Sequence, residues 1–236
     1  MKKQIPNIIT LLNLFSGCIA MVMAFTGNFS AVVLWVILAA IFDFFDGCVA
    51  RSLEVSSKIG VELDSLADIV SFGIAPASAV FILLRDFTLF PTFLSQLEPI
   101  IPYVAFLIPV FSAYRLAKFN IDDRQTISFL GLPTPANGLF WVSYAYGMHL
   151  TAASNGFYLY LTVVFILVLS ILMISEVPMF SLKIKILKIR GNEKQLLLIV
   201  VMTAFVLFWG ITGVAWGILA YIVMSIATMR KNKLIR

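Results

Sequence analysis

Four aspartates, Asp43, Asp46, Asp64 and Asp68, fall within one short stretch of a 236-residue chain that has only twelve acidic residues. Asp43 and Asp46 are spaced i, i+3, and Asp64 and Asp68 are spaced i, i+4, so on helices each pair shares a face. Glu54 and Glu62 lie in the same stretch. Four converging carboxylates repel one another, and something positive must offset them. All four ligands are hard oxygens, which select Mg²⁺, Mn²⁺ or Ca²⁺ over zinc. Four carboxylates are enough to bridge two divalent ions roughly 4 Å apart, an arrangement suited to phosphoryl chemistry. Taken alone, Asp43 could equally cap a helix or pair with a lysine; two in-phase pairs favour a metal site.

The elements that must carry these residues are membrane helices. The chain is 61% hydrophobic and 12% charged, with a mean hydropathy of +1.01; a soluble domain carries about a quarter charged residues. No Asp, Glu, Lys or Arg occurs over 4–42, 125–175 or 195–229. A crossing helix needs about 20 apolar residues. Turn residues at 27–30 and 152–156 split the first two gaps, and Gly210 divides the third. Two more spans lie between the first two gaps. The expected fold is an all-α integral membrane protein with eight spans, near 8–26, 31–50, 63–84, 99–118, 134–151, 157–175, 195–209 and 211–229. A cytoplasmic N-terminus puts every Lys and Arg except Arg85 on the inner side, as the positive-inside rule requires. Both termini and the aspartates are then cytoplasmic. The first apolar run has no clear cleavage site and is expected to be retained. Cys18 and Cys48 read as ordinary buried thiols, and His149 as a polar tip at the outer interface.

The residues around the aspartates suit a phosphate ligand. Gly47 and Gly60 permit close backbone approach, Ala50 keeps the adjacent turn small, and Arg51 and Lys58 add positive charge. Arg51 could also pair with Glu54. Read together, Asp43-x2-Asp46-Gly47-x2-Ala50-Arg51-x8-Gly60-x3-Asp64-x3-Asp68 resembles the complete signature of the CDP-alcohol phosphatidyltransferase family. The resemblance implies a six-helix core, usually in a homodimer, with the site facing the cytoplasm. It implies two divalent cations, Mg²⁺ or Mn²⁺, held by Asp43, Asp46, Asp64 and Asp68. It implies that Gly47, Ala50, Arg51 and Gly60 line the CDP site, and that Asp68 is also the general base. Two C-terminal spans exceed that core, which divides the chain into a membrane domain over 1–180, a basic cytoplasmic loop over 181–194 and a helical hairpin with a basic tail over 195–236.

Further runs resemble the phosphatidylserine synthase branch of that family. They are 64–76 (from Asp64 to Pro76), 115–120 (Arg115 to Asn120), 131–138 (Gly131 to Gly138) and the N-terminal Pro6-Asn7-x2-Thr10-x2-Asn13-x3-Gly17. The branch implies CDP-diacylglycerol as donor and L-serine as acceptor. Serine is a zwitterion, so its site needs a cation and polar acceptors. Arg115 and Lys118 could supply the cation, and Asn120 or Ser71 the polar contacts; Arg115 and Lys118 could equally anchor span 4 in the headgroup layer or bind the phosphate of an alcohol phosphate. Asn7, Thr10 and Asn13 are expected at the nucleotide, although Asn7 and Thr10 could simply start helix 1. Lys183, Lys185, Lys188, Arg190 and Lys194 form a strip that attracts anionic lipid, with no nucleic-acid motif beside it. Competing acceptors are glycerol 3-phosphate and inositol phosphate. A cation transporter would instead hold acids near the bilayer midplane on broken helices.

Overall fold

The structure is a computed structural model that describes residues 4–55, 57–87, 96–122, 129–151, 156–180 and 192–233. The basic positions Lys183, Lys185, Lys188 and Arg190 lie outside the described residues.

The apolar runs fold as helices because only a helix satisfies its backbone polar groups within one segment in lipid. α1 spans Gln4–Phe25 and α2 Phe29–Ser52. They meet at a tight turn in which Asn28 caps α2 by accepting from the Ala31 amide at 3.0 Å. α3 (Lys58–Asp68) continues through a six-residue π-helical turn (Ile69–Ile74) into α4 (Ala75–Arg85). A 3-10 turn (Ile101–Phe106) leads into α5 (Leu107–Ile121), followed by α6 (Thr134–Thr151) and α7 (Gly156–Ile174). Two-residue strands β1 (Phe129–Leu130) and β2 (Pro178–Met179) pair antiparallel and tie the entry of α6 to the exit of α7. α8 (Glu193–Trp209) and α9 (Gly213–Lys233) complete the chain.

Among the described residues, six stretches are long and apolar enough to cross a membrane: Gln4–Phe25, Phe29–Ser52, Lys58–Arg85, Ile101–Ile121, Phe157–Ile174 and Glu193–Ala227. The protein is therefore an all-α, multi-pass membrane protein. The last stretch is broken at Gly210, whose φ of +58° no other residue type adopts cheaply. Gly213 then packs on Phe205 and Gly217 on Met202, so α8 and α9 fold back as a hairpin. α6 is not among the six stretches. Its Thr134, Asn137, Ser143 and Tyr144 are buried against other helices, so it has little need of an apolar surface.

The third span differs from the sequence expectation in its start and in an internal turn. The third span starts at Lys58 rather than near 63, because Ser57 caps it by accepting from the Gly60 amide at 3.0 Å. The π-turn has no signature in the hydropathy pattern. It ends two residues before Pro76, which has no N–H to give an α-helical partner to Phe72, and a widened turn accommodates that loss. The helix of α3, π-turn and α4 is the centre of the bundle: 72% of its apolar window is buried, against 33% or less in every other candidate span. α1, α5 and α6 all pack on the π-turn.

Candidate active site

α2 and α3 deliver the carboxylates. α2 ends in a hydrogen-bonded reversal, with Val55 N–H on the Ala50 carbonyl at 3.0 Å and Glu54 N–H on the Arg51 carbonyl at 3.2 Å. Glu54 occupies the left-handed position of this C-terminal cap at φ 52°. The short connection brings the end of α2 level with the start of α3. Oxygens of Asp43, Asp64 and Asp68 then lie within 4.8 Å of one another. Asp46 stands apart from this set, and its Oδ2 accepts a 2.6 Å hydrogen bond from Thr10 Oγ1 on α1.

The Oδ1 atoms of Asp64 and Asp68 are buried without a hydrogen-bond partner. Among the described residues, no lysine or arginine forms an ion pair with any of the four aspartates. Unpaired buried carboxylate oxygens at this separation fit a hard divalent cation, which supplies the missing positive charge and the missing ligands.

A cavity of about 500 Å³ opens beside these carboxylates. α1 contributes Asn7 and Thr10 to its wall, and α2 contributes Asp46, Gly47 and Ala50. α3 contributes Gly60, Asp64, Ser65 and Asp68; α5 contributes Arg115, Phe119 and Asn120. Gly60 lies so close to Asn7 that a Cβ there would come 3.1 Å from Asn7 Oδ1.

The remaining expected residues either lie outside the wall or hold partners within the protein. Arg51 is exposed and outside the cavity wall; its Nη2 is 3.5 Å from Cys48 Sγ, and it makes no ion pair with Glu54. Asn13 is fully buried beneath the cavity, not in its wall. Arg115 is 7% exposed and gives Nη1 to Thr134 Oγ1 at 3.1 Å, while its Nε has no partner. Lys118 reaches the Ile174 carbonyl at 3.5 Å and is not in the cavity wall. Asn120 donates to Ser65 Oγ at 2.9 Å across the cavity mouth. Ser71 lies a turn deeper than Asp68, fully buried, with its hydroxyl on the Asn13 carbonyl at 3.0 Å. His149 is exposed at the far end of α6, stacked on Phe29 with centroids 4.6 Å apart.

Ser65 and Thr134 were not singled out by the sequence reading. Both lie inside the family-like runs 64–76 and 131–138, Ser65 directly after Asp64 and Thr134 between two prolines. Their partners are far away in sequence, so only the tertiary fold reveals them.

The CDP-alcohol phosphatidyltransferase family model matches residues 3–229. The chain belongs to the CDP-alcohol phosphatidyltransferase family. The match extends across α8 and most of α9, so the C-terminal hairpin lies within the region this family covers. Among curated CDP-alcohol phosphatidyltransferase relatives, the CDP-diacylglycerol–serine O-phosphatidyltransferase of Helicobacter pylori (strain ATCC 700392 / 26695) is 30% identical over 205 residues, 85% of this chain and 80% of that protein. The enzyme of the same name from Bacillus subtilis (strain 168) is 34% identical over 139 residues, 57% of this chain and 71% of its own. Archaetidylserine synthase of Methanothermobacter thermautotrophicus is 30% identical over 177 residues, 73% of this chain and 68% of its own.

Proposed function

We propose that this membrane enzyme transfers the phosphatidyl group of CDP-diacylglycerol to the hydroxyl of L-serine, giving phosphatidylserine and CMP. The carrying observation is the meeting of Asp43, Asp64 and Asp68 beside a cavity whose wall also holds one buried, partly unpaired guanidinium, that of Arg115. The names of the relatives favour serine as the acceptor.

Asp43, Asp46, Asp64 and Asp68 would hold two divalent cations, Mg²⁺ or Mn²⁺, whose chemistry is to neutralise the donor diphosphate and the departing CMP. Gly47, Ala50, Gly60 and Asn7 form the wall on which the cytidine diphosphate rests, with Arg51 at its rim. Asp68 accepts the proton of the serine hydroxyl. The serine oxygen forms a bond to the phosphorus that carries diacylglycerol, and the bond from that phosphorus to the bridging oxygen of CMP breaks. CMP leaves with both bonding electrons into the cytoplasm, and the lipid product stays in the bilayer.

Arg115 pairs with the serine carboxylate, and Asn120 offers its carbonyl oxygen to the ammonium. The charge count supports serine over acceptors that carry a phosphate. Such an acceptor brings about two negative charges, whereas Lys118 is turned to the Ile174 carbonyl and leaves Arg115 as the cation in the cavity wall among the described residues. In this reading the cavity opens to the cytoplasm, both termini are cytoplasmic and the enzyme is a homodimer.

The test is substitution of Asp64 or Asp68 by Asn in the purified enzyme. Transfer falls at least about a hundredfold in both while the protein remains folded in the membrane; near-parent activity in either removes the assignment.

A further inference from the structure

α1 provides no carboxylate, yet it hydrogen-bonds one of the four. Thr10 and Asn13 are i, i+3 on its inner face, 3% and 0% exposed. Thr10 Oγ1 is already committed: it donates to Asp46 Oδ2 at 2.6 Å and is 3.1 Å from the Pro6 carbonyl. One turn deeper, both polar atoms of the buried Asn13 carboxamide lack a partner, as does Asp68 Oδ1. Asn13 is not in the cavity wall, so a bound nucleotide there would not reach it.

The backbone of α1 is fixed at this level by the π-turn that follows Asp68. Ser71 Oγ donates to the Asn13 carbonyl at 3.0 Å. A Cβ on Gly17 would lie 2.7 Å from Ser71 Cα, so the two backbones are in direct contact. Register between α1 and Asp68 is therefore set within one turn on either side of Asn13. A buried carboxamide with two free polar atoms is costly unless a nearby group uses it.

We infer that Thr10 and Asn13 are positioning residues, with Thr10 orienting Asp46 and Asn13 orienting Asp68 for the divalent cations, and that neither is a nucleotide contact. This rests on the proposed metal role of the aspartates. Outer hydrogen-bond partners of metal ligands commonly contribute ten- to a hundredfold in metal affinity or activity.

The experiment uses the full chain, purified in detergent, with Mn²⁺ as the probe. Free Mn²⁺ is titrated by electron paramagnetic resonance without substrate, and the KM for CDP-diacylglycerol is measured at saturating Mn²⁺. Thr10→Val and Asn13→Ala weaken Mn²⁺ binding about tenfold and leave that KM within about twofold. Thr10→Ser, which restores the hydroxyl, returns Mn²⁺ affinity to near the parent value; Asn7→Ala raises the KM without changing Mn²⁺ affinity. Thr10→Val is close in shape to the parent residue and carries the test if Asn13→Ala does not fold. Unchanged Mn²⁺ affinity in Thr10→Val overturns the inference, whether or not the KM rises. Asp64→Asn separates the two levels. If it binds Mn²⁺ as the parent does, the metal site itself is wrong; if it loses binding while Thr10→Val keeps it, only the positioning role fails.

Discussion

Arg115 on α5 gives its Nη1 to the Thr134 hydroxyl at 3.1 Å, and the pair is buried where the first turn of α6 meets the cavity. Thr134 holds the guanidinium while Nε has no partner, and the proposed function gives that nitrogen to the acceptor. Thr134→Val removes one hydrogen bond to a charged group, about 1.5–3 kcal/mol. The expected outcome is a serine KM raised about tenfold or more, with the KM for CDP-diacylglycerol nearly unchanged, read from steady-state CMP release.

Arg115→Ala goes further on the same axis. It raises the serine KM more than the CDP-diacylglycerol KM. Arg115→Lys does not restore it, because an ammonium lacks the planar fork that grips Thr134 and a carboxylate together. Equal effects on both substrates would assign Arg115 to the donor or to the fold.

The carboxylates should make the empty protein unstable relative to the metal-bound one. Adding Mn²⁺ at about a hundred times its dissociation constant stabilises by about 2.7 kcal/mol, seen as a higher Tm in detergent that EDTA reverses. Asp68→Asn abolishes most of this rise. It also lowers kcat by roughly 10²–10⁴, the usual contribution of a general base, with the protein still folded.

How much of this was legible in the sequence depends on the range of the interaction. The helices were readable from charge-free gaps, and the break near Gly210 from the length of the last one. Asp43 with Asp46 and Asp64 with Asp68 were readable as faces, because helical spacing is local. The start of α3 was placed late because the Ser57 cap lies in a polar segment that hydropathy does not score. Ser71 and Lys118 were read as acceptor contacts from neighbourhood alone; the fold spends the first on the Asn13 carbonyl and the second on the Ile174 carbonyl. Thr10 to Asp46 spans 36 positions, and no local pattern encodes it.

Packing at the π-turn gives a stability prediction. Gly17→Ala drives a methyl group into Ser71. Overpacking of this kind costs about 1–3 kcal/mol, and the Tm in detergent should fall accordingly.

The cap of α2 offers the opposite sign. Glu54 at φ 52° bears the roughly 1–2 kcal/mol penalty of an L-residue in the left-handed region. Glycine removes the penalty and gives back about 0.5–1 kcal/mol in chain entropy. Glu54→Gly should leave transfer unchanged and raise the Tm slightly.

The central claim is a metal-dependent transfer to serine, and CMP release tests it most directly. The purified chain is given CDP-diacylglycerol, Mn²⁺ or Mg²⁺, and in separate reactions L-serine, glycerol 3-phosphate or inositol phosphate. The account predicts CMP release that requires serine, yields phosphatidylserine and stops with EDTA. Release that persists in EDTA, or that is faster with either phosphate-bearing acceptor than with serine, would contradict it.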